Sequence, residues 1–244
     1  MFAVPHAART ACWLNAWITG RESADSVITG ILGEQAHMEF VVFGHDAPGL
    51  SPALLLGELR RHDVRQVSAA LPSPGDPLGL GGPPLFNADA LDVGEALVLW
   101  GADVGLVPRT TGRSTRWEGA AANSPRFLPG VADADRALRS ALTVAANALA
   151  ELDVASWNPD VADALMNLRQ PARLDAPMSF PSGEAARTAV SGLRSQHIVE
   201  LALAERDGGA LSTWEAERRR DALMPLQQAS RAAIVAACSS LDGK

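Results

Sequence analysis

The stretch ALVLWGADVGLVPRTTGRSTRWEGA, residues 96–120, decides the fold class of this chain. Its segments 96–100, 105–110 and 114–118 are short and rich in branched or alternating apolar residues, and the connections between them contain Gly101 and Gly112. Such segments favour strands, and connections this short join neighbouring strands as antiparallel hairpins. Residues 96–120 therefore predict three consecutive strands of one sheet.

The chain before this stretch adds helices and two more strands. Apolar spacing predicts helices over 6–18 and about 24–34, and the runs MEFVVF (38–43) and VRQVSAAL (64–71) predict buried strands. Ser51 followed by Pro52 starts a helix between those strands, because the hydroxyl caps free amides and proline tolerates the first helical position. A strand, helix and strand in succession favour a parallel pair, so a mixed sheet of about five strands is expected.

After residues 121–130 the strand pattern stops and apolar residues recur at helical spacing. Helices are predicted over 132–152, from Asn158 to a point before Pro171, from Ser182 to about Asp207, and from Ser212 to about Leu241. Pro225 is expected to kink or split the last one. The sequence thus predicts an α/β domain over 1–125 and an all-helical domain of roughly four or five helices over 126–244, which can pack as one continuous unit with the first.

Composition limits the classes of function. The net charge is −7, and an acidic surface repels phosphate backbones, so no nucleic-acid partner is expected. No segment reaches the roughly 18 apolar residues that a membrane span requires. The first residues lack the cationic start and apolar stretch of a signal peptide, which predicts a cytoplasmic protein.

The cysteine and histidine patterns predict no metal and no cofactor. Cys12 and Cys238 lie near opposite ends of the chain without a neighbouring cysteine, so they suggest neither a zinc site nor a disulfide and are interpreted as small buried apolar groups. A disulfide between them requires the two chain ends to be adjacent. The five histidines form no HxxxH, HxH or HExxH pattern.

The segment SPGDPLGLGGPPLFN, residues 73–87, has the most unusual composition of the chain. It follows a predicted strand, where α/β sheets commonly bind ligands, but it lacks the residues and spacing of a P-loop or a GxGxxG motif. The preferred interpretation is a structural cover over the sheet edge. In the alternative it lines a pocket in which Asp76, Asn87 and Asp89 are the polar candidates. Asn87 is also expected to cap a short helix that runs to about Glu95.

Arginines at the second hairpin are candidates for binding an anion. Arg109 and Arg113 flank the predicted turn, with Arg116 nearby, and guanidinium groups bind carboxylates through paired hydrogen bonds. Arginines at a hairpin more often form a solvated edge that discourages strand pairing. His45, just after a predicted strand, is the candidate general base.

Two hypotheses for function follow, since the chain carries no catalytic signature such as GxSxG. The first is a non-catalytic binding or assembly protein whose C-terminal helices bind a protein partner or a second copy, with the Ala-rich face at 229–237 permitting close approach. The alternative is a small-molecule enzyme or ligand sensor. It would hold a small acidic metabolite near Arg109 or Arg113, under loop 73–87 and at the C-terminal ends of the first two strands.

Overall fold

The computed structural model of the protein describes residues 3–42, 49–151, 174, 177–203 and 213–241. The N-terminal half is an α/β structure, as predicted. Its helices are α1 (His6–Ile18), α2 (Ala24–Leu32), α3 (Pro52–Arg61) and α4 (Pro84–Val93). Its strands are β1 (His37–Val41), β2 (Gln66–Ala70), β3 (Ala96–Trp100), β4 (Val104–Thr111) and β5 (Ser114–Ala121). The hydroxyl of Ser51 accepts a hydrogen bond from the amide of Leu54, which confirms the predicted cap of α3.

The prediction that Asn87 caps α4 is wrong. The helix begins at Pro84, after Pro83, and no side chain caps it. Pro84 presets the backbone at the first helical position, where its missing N–H removes one of the amides that would otherwise lack a partner. The helix ends at Gly94, which adopts the left-handed conformation with φ of 84°.

The sheet is mixed and five-stranded, with the order β1-β5-β4-β3-β2. The β3–β4 and β4–β5 hairpins are antiparallel as predicted, and β1 pairs with β5 in parallel. The predicted parallel pair of β1 and β2 is wrong, because these strands occupy opposite edges of the sheet and run in opposite directions. The short hairpins commit β3, β4 and β5 to be neighbours, so only the outer sides of β3 and β5 remain to accept β2 and β1.

Helices cover the two faces of the sheet unequally. The first face packs against α1, α2 and α3 in a core whose largest buried members include Leu14, Phe40, Leu55 and Trp117. The second face packs against α4 through Phe86 and Ala90, which meet residues of β3 and β4. The β1 and β5 side of this second face carries the exposed Arg116 and the half-buried Glu39 and Glu118.

The described part of the C-terminal half contains three helices, α5 (Val131–Glu151), α6 (Gly183–Leu203) and α7 (Thr213–Ser239). The prediction of four or five helices is therefore wrong for these residues, and the helix expected from Asn158 lies outside the described residues. α7 continues through Pro225 as one helix instead of splitting there. Leu223 and Leu226 are buried on either side of that proline, and this packing holds the helix together despite the missing hydrogen bond.

The two halves contact each other through α7, which packs against α1 and β2 as well as against α5 and α6. The Ala-rich face at 229–237 takes part in these internal contacts, with Ala233, Ala236 and Ala237 buried. The prediction that this face is offered to a partner is therefore wrong, because the chain's own helices already cover those residues.

Candidate functional site

The Pro- and Gly-rich loop lies directly on the sheet. A Cβ atom at Gly79 would stand 2.7 Å from the Cα of Ala70, so only glycine fits between the loop and β2. Gly82 pairs with the segment after β5, because its carbonyl accepts a hydrogen bond from the amide of Asn123 at 2.8 Å. These contacts support the interpretation of residues 73–87 as a cover over the sheet.

The polar candidates of this loop bind other parts of the chain. Asp76 Oδ2 accepts a hydrogen bond from Arg231 Nη2 of α7 at 2.8 Å, and Arg231 Nη1 also donates to the carbonyl of Leu71 at 3.2 Å. Burial lowers the pKa of Arg231, and the charge of Asp76 partly offsets that effect. Asn87 Oδ1 accepts from the amide of Gly82 at 3.0 Å. Asp76 and Asn87, which were candidates for binding a ligand, thus hold the loop in place.

The arginines of the second hairpin do not converge on one point. Arg109 hydrogen-bonds Asp89 of α4 and donates through Nε to Glu118 Oε2 at 3.1 Å. The hydrogen bond to Asp89 is the main cause of the raised pKa of Arg109. Arg113 donates to the carbonyl of Glu34 from Nε at 2.9 Å and from Nη2 at 2.7 Å. Both candidate cations therefore have partners within the chain.

The sheet instead brings Arg109 beside Arg116, its cross-strand neighbour in register. Arg116 pairs with Glu39 of β1, and its Nε lies 3.8 Å from Glu118 Oε1. Together with Asp89 these side chains form a continuous row of alternating charges on the second face of the sheet. His45 lies outside the described residues, so the structure does not place the candidate general base.

Sequence reasoning missed Asn15, which is fully buried and completes the edge of the sheet. Its Oδ1 accepts from the amide of Val67 at 2.8 Å, and its Nδ2 donates to the carbonyl of Val67 at 2.8 Å and to that of Cys238 at 3.2 Å. The hydroxyl of Ser239 accepts from the amide of Ala69 at 3.0 Å. Side chains thus occupy the edge of β2, where an unpaired strand invites association. A polar residue next to the apolar stripe of α1 was the available signal.

Glu95, which is half-buried, is a second polar group that the sequence did not single out. Its carboxylate accepts a hydrogen bond from the amide of Ala7 at 2.8 Å, at the start of α1, where the N-cap residue Pro5 offers no side-chain cap. Burial raises the pKa of Glu95, while the hydrogen bonds from the first amides of α1 and the charge of Arg9 partly oppose that rise. Glu95 therefore takes the place of the missing side-chain cap. Its carboxylate, when charged, also interacts favourably with the dipole of α1.

An open cavity of about 370 Å³ lies beside the C-terminal end of β3 and close to Leu241. It is lined by Asp63, Arg65, Gln66, Trp100, Gly101 and Leu241. Its polar side chains have internal partners. Arg65 Nε donates to Asp63 at 3.1 Å, and Gln66 donates to the carbonyl of Ser239 at 2.8 Å. Within the described residues, no group of three His, Cys, Asp or Glu side chains could hold a metal ion, and no helix is long and apolar enough to cross a membrane.

The exposed side of α5 includes a surface without charged side chains. Residues 140–148 contain no charged side chain. We call their exposed members the α5 face, which consists of Ser140, Thr143, Val144, Ala146 and Asn147. Val144 is 55% exposed and stands near the middle of this face. The opposite side of α5 packs against α7 through Leu138 and Ala145.

Comparison with known proteins matches most of the chain to one family. Two domain models match it in order, the N-terminal domain of Rv1486c-like proteins over residues 7–127 and the C-terminal domain of the same proteins over residues 132–235. The chain belongs to the Rv1486c-like family.

Relatives in the Rv1486c-like family match along nearly their entire length. The uncharacterised protein Rv1486c of Mycobacterium tuberculosis strain H37Rv is 28% identical, and the match covers 94% of each chain. The uncharacterised protein ML1804 of Mycobacterium leprae is 26% identical over the same shares. No solved structure matches the chain. The names of these relatives state no activity.

Proposed function

We propose that this protein is a non-catalytic assembly protein that forms a twofold dimer through the α5 face. The observation that carries the proposal is an exposed, uncharged helix surface on a chain whose net charge is −7. Two acidic copies repel each other over most of their surfaces. They can approach most closely where neither copy presents a charge, and a twofold axis brings the same surface of each copy together.

The composition of the α5 face supports this contact. Its side chains are small, which allows two helix backbones to come close together. The hydroxyl of Thr143 already donates to the carbonyl of Arg139 at 3.2 Å, so burying it leaves that donor satisfied. The charged residues of α5 lie in its first turns, where Asp133 pairs with Arg136 at 2.7 Å, and at its last residue, Glu151. They therefore flank the proposed contact and do not interrupt it.

No specific observation favours the alternative of an enzyme or ligand sensor for a small acidic metabolite. Asp76, Arg109 and Arg113 all have internal partners, so an anion would have to displace existing hydrogen bonds before it could bind. The first two strands end at opposite sides of the sheet, which separates the ends that were expected to form one pocket. The cytoplasmic location stays a prediction.

Light scattering coupled to size exclusion tests the proposal directly. Wild type should have twice the chain mass of 25.6 kDa, and Val144→Glu should have the mass of one chain, because it places two like charges against each other across the axis. Ala132→Glu is the matched control, since it adds the same charge at an exposed position of α5 outside the α5 face, and it should stay dimeric. A wild type that is monomeric at every concentration would contradict the proposal.

A further inference from the structure

The first and last helices of the described chain bring its two cysteines together. Cys12 of α1 and Cys238 of α7 are both buried in one apolar cluster, with exposed fractions of 1% and 2%. Ala8, Leu71 and Ile234 belong to the same cluster. No pattern in the sequence indicates a pair, because the cysteines are far apart along the chain and no motif connects them. The fold nevertheless places both cysteines in one cluster at the contact between α1 and α7.

Asn15, one helical turn after Cys12 on α1, donates from Nδ2 to the carbonyl of Cys238 at 3.2 Å, so the two cysteines lie beside each other where α1 packs against α7. The thiol of Cys12 donates to the carbonyl of Ser179 at 3.1 Å. Cysteines on two helices in direct contact can reach a covalent S–S distance through side-chain rotations and small backbone shifts, whereas cysteines on distant backbones cannot.

We propose that Cys12 and Cys238 are a redox-active dithiol that a hydroperoxide converts into an intramolecular disulfide, which covalently joins α1 to α7. In the first step the sulfur of one cysteine attacks the peroxide oxygen, the O–O bond breaks, and a sulfenic acid and water form. In the second step the sulfur of the other cysteine attacks the sulfenic sulfur, the S–O bond breaks, and the disulfide and a second water form. Two thiols and one hydrogen peroxide thus give one disulfide and two waters.

Burial sets how readily this pair reacts. The hydrogen bond to Cys12 and burial raise the pKa of the Cys238 thiol well above its usual range, so Cys238 remains protonated and reacts slowly. The pair therefore stays reduced on brief exposure and becomes oxidised on sustained exposure, when the end of α7 opens locally. The disulfide would fix the part of α7 whose Ser239 binds β2. Oxidation thereby stabilises the contact between the two halves of the chain.

The test is sustained treatment of the full chain with hydrogen peroxide, followed by thiol titration in denaturant and peptide mapping without reductant. We expect both titratable thiols to be lost and tryptic peptides 10–21 and 232–244, each with a single cysteine, to be recovered as one cross-linked species. Denaturing, non-reducing electrophoresis should still show a single chain. The midpoint of thermal unfolding should rise by several degrees, and a thiol reductant should reverse that rise.

Cys12→Ala and Cys238→Ala are the matched controls, and each should keep one thiol and show no peroxide-induced rise of the midpoint. The peptide map of wild type shows whether Cys12 and Cys238 form a disulfide, even if either variant folds poorly. Retention of both thiols in the folded protein, oxidation to sulfinic acid without a cross-link, or disulfides between chains would each overturn the proposal. The test does not depend on whether the protein is a dimer, because both cysteines lie inside one chain.

Discussion

At the scale of single residues, Asn15 supplies hydrogen bonds to the edge of β2 that a neighbouring strand would otherwise supply. Asn15→Ala removes its hydrogen bonds to the amide and the carbonyl of Val67 and leaves both buried groups without a partner. We expect the free energy of unfolding to fall by about 3 kcal/mol. Urea denaturation measures this, with an unchanged slope if only stability is affected. Asn123→Ala, at an exposed position, is the control and should change stability by less than about 0.5 kcal/mol.

Glu95 gives a prediction about pH. Its raised pKa means that the side-chain carboxyl of Glu95 binds a proton more tightly in the folded chain than in the unfolded chain. That contribution to stability is present at low pH and is lost as the pH rises above the ordinary glutamate value of about 4.3. The free energy of unfolding of wild type minus that of Glu95→Gln should therefore decrease from acidic toward neutral pH. Chemical denaturation of both proteins across this range measures the difference, and an increase with pH would refute the assignment.

At the scale of elements, the contact of loop 73–87 with the sheet predicts different losses of stability for substitutions at two of its glycines. Gly79 and Gly75 both have positive φ, 83° and 80°, but only Gly79 is in contact with β2. Gly75→Ala should cost about 1 to 2 kcal/mol from backbone strain alone. Gly79→Ala adds a steric clash with Ala69 and Ala70 and should cost about 1 to 3 kcal/mol more. Equal unfolding free energies for the two variants would show that the loop does not rest on the sheet.

At the scale of the whole molecule, the contacts of α7 predict that the N-terminal half is not stable alone. The domain boundary at 125/126 stays a prediction. A fragment of residues 1–130 loses Ser239 from β2, Arg231 from Asp76 and Ile234 from the shared cluster. We expect this fragment to bind a hydrophobic dye and to unfold without a cooperative transition. Adding residues 126–244 in trans should restore the transition. A fragment that unfolds as sharply as the full chain would instead show that residues 1–125 fold independently.

Local chemistry along the chain predicted most of the elements and part of the sheet. The hairpins over 96–120 and the capped helix at Ser51 form as expected, because short connections and caps act between residues that are close in sequence. The α/β character of the first half and the helical character of the second half follow from the same local periodicity. The α5 helix has the apolar stripe that its sequence predicts, with Leu138 and Ala145 buried.

The sequence by itself determined which segments form strands and helices, whereas only the tertiary structure decided which polar groups meet. Strand order depended on which edges the hairpins left open, so β1 and β2 were separated despite their βαβ pattern. The candidate ligand residues Asp76 and Arg109 found partners far away in sequence, Arg231 on α7 and Asp89 on α4. Likewise Cys12 and Cys238 became neighbours only because α7 packs against α1. Pairings of this kind arise from packing between distant segments, and no local pattern encodes them.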